Sequence, residues 1–285
     1  DQGVALSYYL KSAAKHLAIE VLDQQGTSIR KYVTTPDTAR DKPEGESPEG
    51  ESHGPPRPPR APMRAGSNRF TWDMRTEPPV RFPGMILWAA GTNGPRVLPG
   101  DYQVRLTADS HAPVTQSFRI VKDPRAPHVT MADLQAQHEL ATRVRDKLNQ
   151  ANEAVMMIRG VKSQIDERVK QANDGKFGDV SAQLKDKLSK VEEEIYQVRL
   201  QSNQDPLNYP IKLNNKIAAL LNAVEGSEGM PTAQSNEVFT ELSARLDQQL
   251  AWLKDILDRD VTAYNARWVQ PRGLSAVELK PIAAE

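Results

Sequence analysis

The spacing of apolar residues along this chain changes once, at Lys122-Asp123-Pro124-Arg125-Ala126-Pro127. Before that point apolar residues alternate in short runs separated by Gly and Pro. After it they recur every three to four residues as far as the region of Pro271. Alternation marks half-buried strands and the longer period marks amphipathic helices. The pattern predicts a β domain over 1–122, a linker over 123–130, a helical domain over 131–270 and a tail over 271–285. Pro124 and Pro127 fix two φ angles in so short a linker, so a stiff elbow is expected there rather than a hinge.

In the first half Val4, Leu6, Tyr8 and Leu10 alternate, as do Leu17, Ile19 and Val21, and Ile29, Lys31 and Val33 follow. Asp23-Gln24-Gln25-Gly26 supplies turn chemistry for a hairpin, with Gly free to take a positive φ. Phe70 and Trp72, the run Met85 to Trp88, then Tyr102, Val104 and Leu106, and finally Phe118 and Ile120 complete about seven short strands. Seven strands with turn signals between them predict an antiparallel sandwich of immunoglobulin type.

Residues 36–66 break the pattern. They hold Pro-Glu-Gly-Glu-Ser twice in succession, then Pro55-Pro56-Arg57-Pro58-Pro59-Arg60. So few apolar side chains cannot offset ordering entropy, and a disordered insertion is expected. The excursion from Arg75 to Leu98 is also rich in Pro and Gly. It carries Phe82, Met85, Ile86, Leu87 and Trp88, which argues that it packs down.

In the second half Leu134, Ala141, Leu148 and Val155 repeat by sevens, interleaved with Val144, Ala151, Ile158 and Ile165. That is a sustained apolar seam. Thr130 with Asp133 forms a variant capping box, and the helix should stop at Asn173-Asp174-Gly175. Further seams run through Leu184 to Val198, Ile211 to Val224 and Phe239 to Tyr264. Four seams with short connections predict an up-down four-helix bundle. An elongated coiled-coil dimer is the competing picture.

Composition narrows the function classes. Lys plus Arg and Asp plus Glu each number 37, so the formal net charge is zero. That gives no electrostatic case for nucleic acid or an anionic membrane surface. No apolar run approaches the ~20 residues that cross a bilayer. Cysteine is absent, which removes disulfides, thiolate nucleophiles and Cys-ligated metals. The opening Asp1-Gln2-Gly3-Val4 has no initiator Met and already looks like a strand, so the chain reads as a piece of something longer.

Candidate chemistry is sparse. The five His (His16, His53, His111, His128 and His138) lack metal-ligand spacing, and no cofactor is expected. Among acids of the β half, Glu20 should face solvent, Asp23 should belong to the turn, and Asp73 should cap a turn or pair with an Arg; paired catalytic carboxylates are the sharper alternative. Glu192-Glu193-Glu194 reads as a solvated helix face. Trp72 should be the sandwich core and Trp252 should lie at a helix contact. Trp88, with Arg81 and Arg96 nearby in sequence, is the aromatic to watch: it is expected to cover the end of the sandwich, and stacking on a sugar or a partner, with Arg81 and Arg96 as further contacts, is the alternative. No catalytic, cofactor or metal residue is assigned.

Several stretches resemble one family. Gly66-Ser67-Asn68-Arg69-Phe70-Thr71-Trp72-Asp73-Met74-Arg75, Phe82-Pro83-Gly84-Met85-Ile86-Leu87-Trp88 and Leu98-Pro99-Gly100-Asp101-Tyr102-Gln103-Val104-Arg105-Leu106 look like the C-terminal region of large bacterial sortilin-like proteins, often labelled glycosyl hydrolases with BNR (Asp-box) repeats. Lys122 to Arg125, Asp146 to Val155 and Pro206 to Asn214 are similar too. The likeness covers nearly the whole chain except 36–66. More distantly, the strands around Trp72-Asp73 and Pro99 to Tyr102 are similar to the Ig-like domain of flagellar hook-capping proteins. The resemblance implies a secreted or periplasmic protein whose β-propeller lies upstream and is the partner of this region. No Ser-x-Asp-x-Gly-x-Thr-Trp box occurs here, so any glycosidase chemistry would belong to that propeller. The expectation is a non-catalytic accessory and protein-interaction region; the alternative is an ancillary carbohydrate-binding part of a glycoside hydrolase. Oligomerisation through the helices is a third possibility.

Overall fold

A computed structural model describes residues 3–36 and 59–284. The chain divides into two compact units, Asp1–Pro78 with Asn93–His138, and Pro79–Thr92 with Glu139–Glu285. Both units are therefore discontinuous in sequence.

In the first unit β1 (Val4–Leu10) pairs antiparallel with β4 (Gly66–Trp72) as a two-stranded sheet. A four-stranded antiparallel sheet holds β2 (Leu17–Leu22), β3 (Ser28–Thr34), β5 (Gly100–Ala108) and β6 (Val114–Ile120) in the order β3-β2-β5-β6. The strands form where alternation puts Leu17, Ile19, Val21, Tyr32, Phe70 and Trp72 on core-facing positions, and all six are buried. Trp72 sits edge-on to Tyr102 and Phe118, and its indole N–H donates to the Arg75 carbonyl at 3.0 Å. The expected hairpin joins β2 to β3. Asp23 Oδ1 accepts from the Gln25 and Thr27 N–H groups, and Gly26 takes φ 83°. Glu20 stands opposite Lys31 and Arg105 and pairs with the Arg105 guanidinium at 3.2 Å. Asp73 caps a turn by accepting from the Arg75 N–H.

The immunoglobulin-type sandwich does not form. The described strands number six, in sheets of two and four, and the Met85–Trp88 run is not among them. Its four apolar residues are contiguous and follow a Pro83-Gly84 turn, so no half-buried strand develops; they join the helical unit instead. Most of the expected disordered insertion, 37–58, lies outside the described residues. Its C-terminal end packs: Ala61 is buried with its N–H on Thr34 Oγ1 (3.1 Å), and the Tyr8 hydroxyl donates to the Pro62 carbonyl (2.5 Å).

The segment after β6 is tied to itself. The Lys122 ammonium donates to the carbonyls of Ala126, Pro127 and Val129. The Arg125 guanidinium and N–H hold the Asp123 carboxyl down at about 2.

Helix α1 (Met131–Ala172) opens on the expected capping box: Thr130 Oγ1 accepts from the Asp133 N–H and Asp133 accepts from the Thr130 N–H. It ends at Asn173 with φ 47°. Asp174 caps α2 (Gly175–Ile195), and Thr232 caps α4 (Ala233–Asp255), with α3 (Leu213–Val224) between them. Beyond α4 the chain winds on in wide π turns, Ile256–Val261 and Asn265–Val269, and closes at Gln270–Arg272 with Gly273 at φ 66°. Ala141, Val144, Leu148, Ala151, Val155, Ile158 and Ile165 are all buried, as the seam requires.

The up-down four-helix bundle does not form either; the fold is a mixed α+β arrangement. Helix α3 is short, 12 residues against 42 in α1, as its shorter seam predicts, but the helices do not make the core by themselves. Part of the helical core is supplied by non-helical chain, namely Phe82 and Met85 from 79–92 and Val277 from the tail. Trp252, expected at a helix contact, is 51% exposed. No helix among the described residues is long and apolar enough to cross a membrane.

Candidate functional site

Among the described residues, the most developed polar constellation lies within the helical unit, where side-chain carboxamides grip main chain. Residues 79–92 form a strap. Pro83 and Gly84 (φ 74°) turn it, with the Met85 N–H donating to the Phe82 carbonyl at 3.1 Å, as a type II turn demands. The turn drives Phe82 and Met85 into the helical core, where both are buried. Phe82 stands edge-on to Tyr196 at 4.9 Å, and the Arg159 guanidinium lies 4.7 Å over its ring.

The limbs of the strap are held by amides. Val80 donates its N–H to Asn149 Oδ1 (2.7 Å) and its carbonyl accepts from Asn152 Nδ2 (2.8 Å). Trp88 does the same with one side chain: its N–H donates to Asn215 Oδ1 (2.6 Å) and its carbonyl accepts from Asn215 Nδ2 (2.9 Å). Between these clamps the Tyr196 hydroxyl donates to the Gly84 carbonyl and accepts the Ile86 N–H, both at 3.2 Å. Burial pushes that phenol up, which keeps it a neutral donor. A carboxamide carries one acceptor and one donor group, the complement of a single extended residue. Asn152, Asn214 and Asn215 are all buried, and Asn214 Nδ2 backs Asn152 Oδ1 at 3.4 Å.

A second extended segment is held in the same way. The tail runs antiparallel along α1, with the Ser275 carbonyl on Arg168, Glu278 on Gln164, Lys280 over Gly160, and the Ile282 N–H on the Met156 carbonyl. Gln164 accepts the Glu278 N–H (2.8 Å) and donates to its carbonyl (2.9 Å). Asn265 treats Val277 identically, at 2.8 and 2.9 Å.

Arg159 links the strap to a charged groove of about 480 Å³ between α1 and α2, lined by Lys162, Asp166, Lys170 and Glu192 among others. Glu192 is 3% exposed, contrary to the solvated face expected of the acidic run. It follows Val191 and lies four residues after Leu188, which turns it inward with that seam. Its Oε1 accepts from Arg159 Nε (2.8 Å) and its Oε2 from the Lys162 ammonium (3.0 Å). Both oxygens are engaged by cations, which makes Glu192 a structural counter-ion rather than a free base.

The three candidate contact residues are divided by the fold. Trp88 and Arg81 belong to the strap, whereas Arg96 belongs to the β unit, where its carbonyl accepts from His138 Nδ1 at 2.7 Å. Trp88 is 37% exposed on a backbone fixed at both polar groups. The Arg81 guanidinium ties the strap to itself, reaching Thr92 Oγ1 at 3.1 Å and the Met85 carbonyl at 3.2 Å. No group of three His, Cys, Asp or Glu among the described residues is placed to hold a metal ion.

The clamping amides were not legible as such. The usable signal was an Asn at a seam position: Asn152 lies four residues after Leu148 and three before Val155, and Asn214 three before Ile217. Asn215→Leu is expected to lower the stability of the helical unit by about 1–3 kcal/mol, the cost of stranding a buried donor and acceptor. Asn215→Asp keeps the acceptor for the Trp88 N–H but sets a carboxylate oxygen against the Trp88 carbonyl in a buried site, so it should cost at least as much. Urea unfolding followed by helical circular dichroism measures both, and equal stability of all three would remove the clamp.

Compared with known proteins, the chain matches no family model, no curated sequence and no solved structure.

Proposed function

We propose that this chain is a non-catalytic accessory and protein-interaction region of a larger secreted or periplasmic β-propeller protein. The observation that carries the reading is the use made of its polar side chains. Asn149, Asn152, Asn215, Gln164 and Asn265 bind main chain that belongs to no helix or strand, and Glu192 is saturated by two cations. This is the chemistry of holding protein against protein, since a carboxamide that satisfies a backbone N–H and C=O does so whatever side chain the residue bears. The compartment and the propeller partner rest on the sequence resemblance around Trp72, Trp88 and Tyr102.

A carbohydrate-binding role is the second reading, because Trp88 presents a partly exposed ring on a fixed backbone. Glycan-array binding of the native chain and of Trp88→Ala separates the two. The interaction reading expects no saturable sugar binding that the substitution removes. Saturable binding lost in Trp88→Ala moves the function to glycan recognition.

A further inference from the structure

We propose that the outer edge of β6 pairs antiparallel with β6 of a second copy of this chain. The two edges of the four-stranded sheet are finished differently. At β3 the edge is closed: the Glu77 N–H donates to the Ile29 carbonyl (3.1 Å), the Lys31 N–H donates to Glu77 Oε1 (2.9 Å), and Arg30 secures Glu77 Oε2 (3.2 Å). At β6 no strand among the described residues lies beyond the edge.

Edges left open are normally guarded by Pro, a bulge or charged side chains, Lys above all. The seven residues Val114–Ile120 contain no Pro and no Lys, and their pairing with β5 is regular throughout. Their single charge, Arg119, is already neutralised by Asp101 in two bonds of 2.6 and 2.8 Å. Val114 is 67% exposed although it shares a face with the core-packed Phe118 and Ile120.

The strand is complementary to itself. A twofold axis through its midpoint, Ser117, pairs all seven residues and sets Val114 opposite Ile120, Thr115 opposite Arg119 and Gln116 opposite Phe118. Opposed residues then share a face, Val114 is covered by an apolar neighbour, and no like charges meet. A register shifted to centre on Arg119 would bring two guanidinium groups together, so the Ser117 register is the favoured one. Such a contact is isologous and closes on itself, giving a dimer rather than a fibre.

The chain has no cysteine, so single Cys substitutions report the register directly. Opposed residues in this pairing have Cα atoms about 4.5–5.5 Å apart, inside the roughly 4.4–6.8 Å range for a disulfide. Two Thr115 residues would be separated by four residues along the ladder, about 13 Å. With oxidised glutathione as oxidant, Ser117→Cys is expected to give covalent dimer and Thr115→Cys to stay uncoupled. Light scattering should show native chain passing from monomer to dimer as concentration rises. Ser117→Lys, which opposes two ammonium groups, should stay monomeric with an unchanged thermal midpoint. A native chain that is monomeric throughout overturns the proposal and returns the edge to another segment of the chain or to a different protein. Equal crosslinking through Thr115 and Ser117, or a dimer that survives Ser117→Lys, overturns it as well.

Discussion

Phe82→Ala is expected to destabilise the helical unit by about 3–5 kcal/mol, the usual cost of emptying a buried aromatic site, although Phe82 lies in no helix. The residue is fully buried in the helical core, edge-on to Tyr196 and beneath the Arg159 guanidinium. Its removal leaves a void and uncovers a cation that also serves Glu192. Collapse of the site is hindered on the strap side, because Val80 and Trp88 are pinned on either side of the turn. Phe82→Leu keeps most of the apolar volume and should recover part of the loss. The measurement is urea unfolding followed by helical circular dichroism. A loss below about 0.5 kcal/mol, the range of substitutions at unremarkable surface positions, would mean that the strap is a passenger on the helices.

Gly160→Ala is expected to lift the tail from α1, and here two effects oppose each other. Ala is favoured over Gly in a helix interior by about 1 kcal/mol. Its Cβ, however, would lie 2.0 Å from the Lys280 carbonyl oxygen and 3.1 Å from the Ile282 nitrogen, both backbone atoms. Releasing the tail gives up the burial of Val277, about 1.5–3 kcal/mol. It also gives up the clamps from Gln164 and Asn265, whose bonds contribute about 0.5–1.5 kcal/mol each. The clash therefore outweighs the propensity gain. Hydrogen exchange should show the Val277, Glu278 and Ile282 amides losing protection while α1 keeps its own. A tail that remains protected in Gly160→Ala would contradict its docking along α1.

Sequence pattern and fold agree where the physics is local. The α1 seam, the Thr130–Asp133 box, the Asp23–Gly26 hairpin and the stop at Asn173 all depend on residues within a few positions of one another. What failed depended on distant chain. The run Met85 to Trp88 has no feature that says which unit its apolar side chains will join, and counting it as a strand produced the sandwich. The seams of α2 to α4 show which helix faces are buried without showing what buries them, and the partners included the strap and the tail as well as helices. Gly160 stood in the middle of an apolar period with no turn nearby, a position where Gly usually has a packing reason. Glu192 was hidden among three consecutive acids. Of the candidate contacts, Trp88 and Arg81 belong to the strap, and Arg96 belongs to the other unit because the chain returns to it at Asn93.

The strap also sets an order of events during synthesis. Trp88 and its clamp Asn215 are 127 residues apart. At about 5–20 residues per second the ribosome needs roughly 6–25 s to make the second after the first. For most of that interval Phe82 has been made and Tyr196, which stands edge-on to it, has not. The nascent chain thus carries an unshielded apolar segment between finished strands for seconds, long enough for a holdase chaperone to engage it. The helical unit can close only when its last-made parts, α3 and then the tail, come back to a piece of chain made long before.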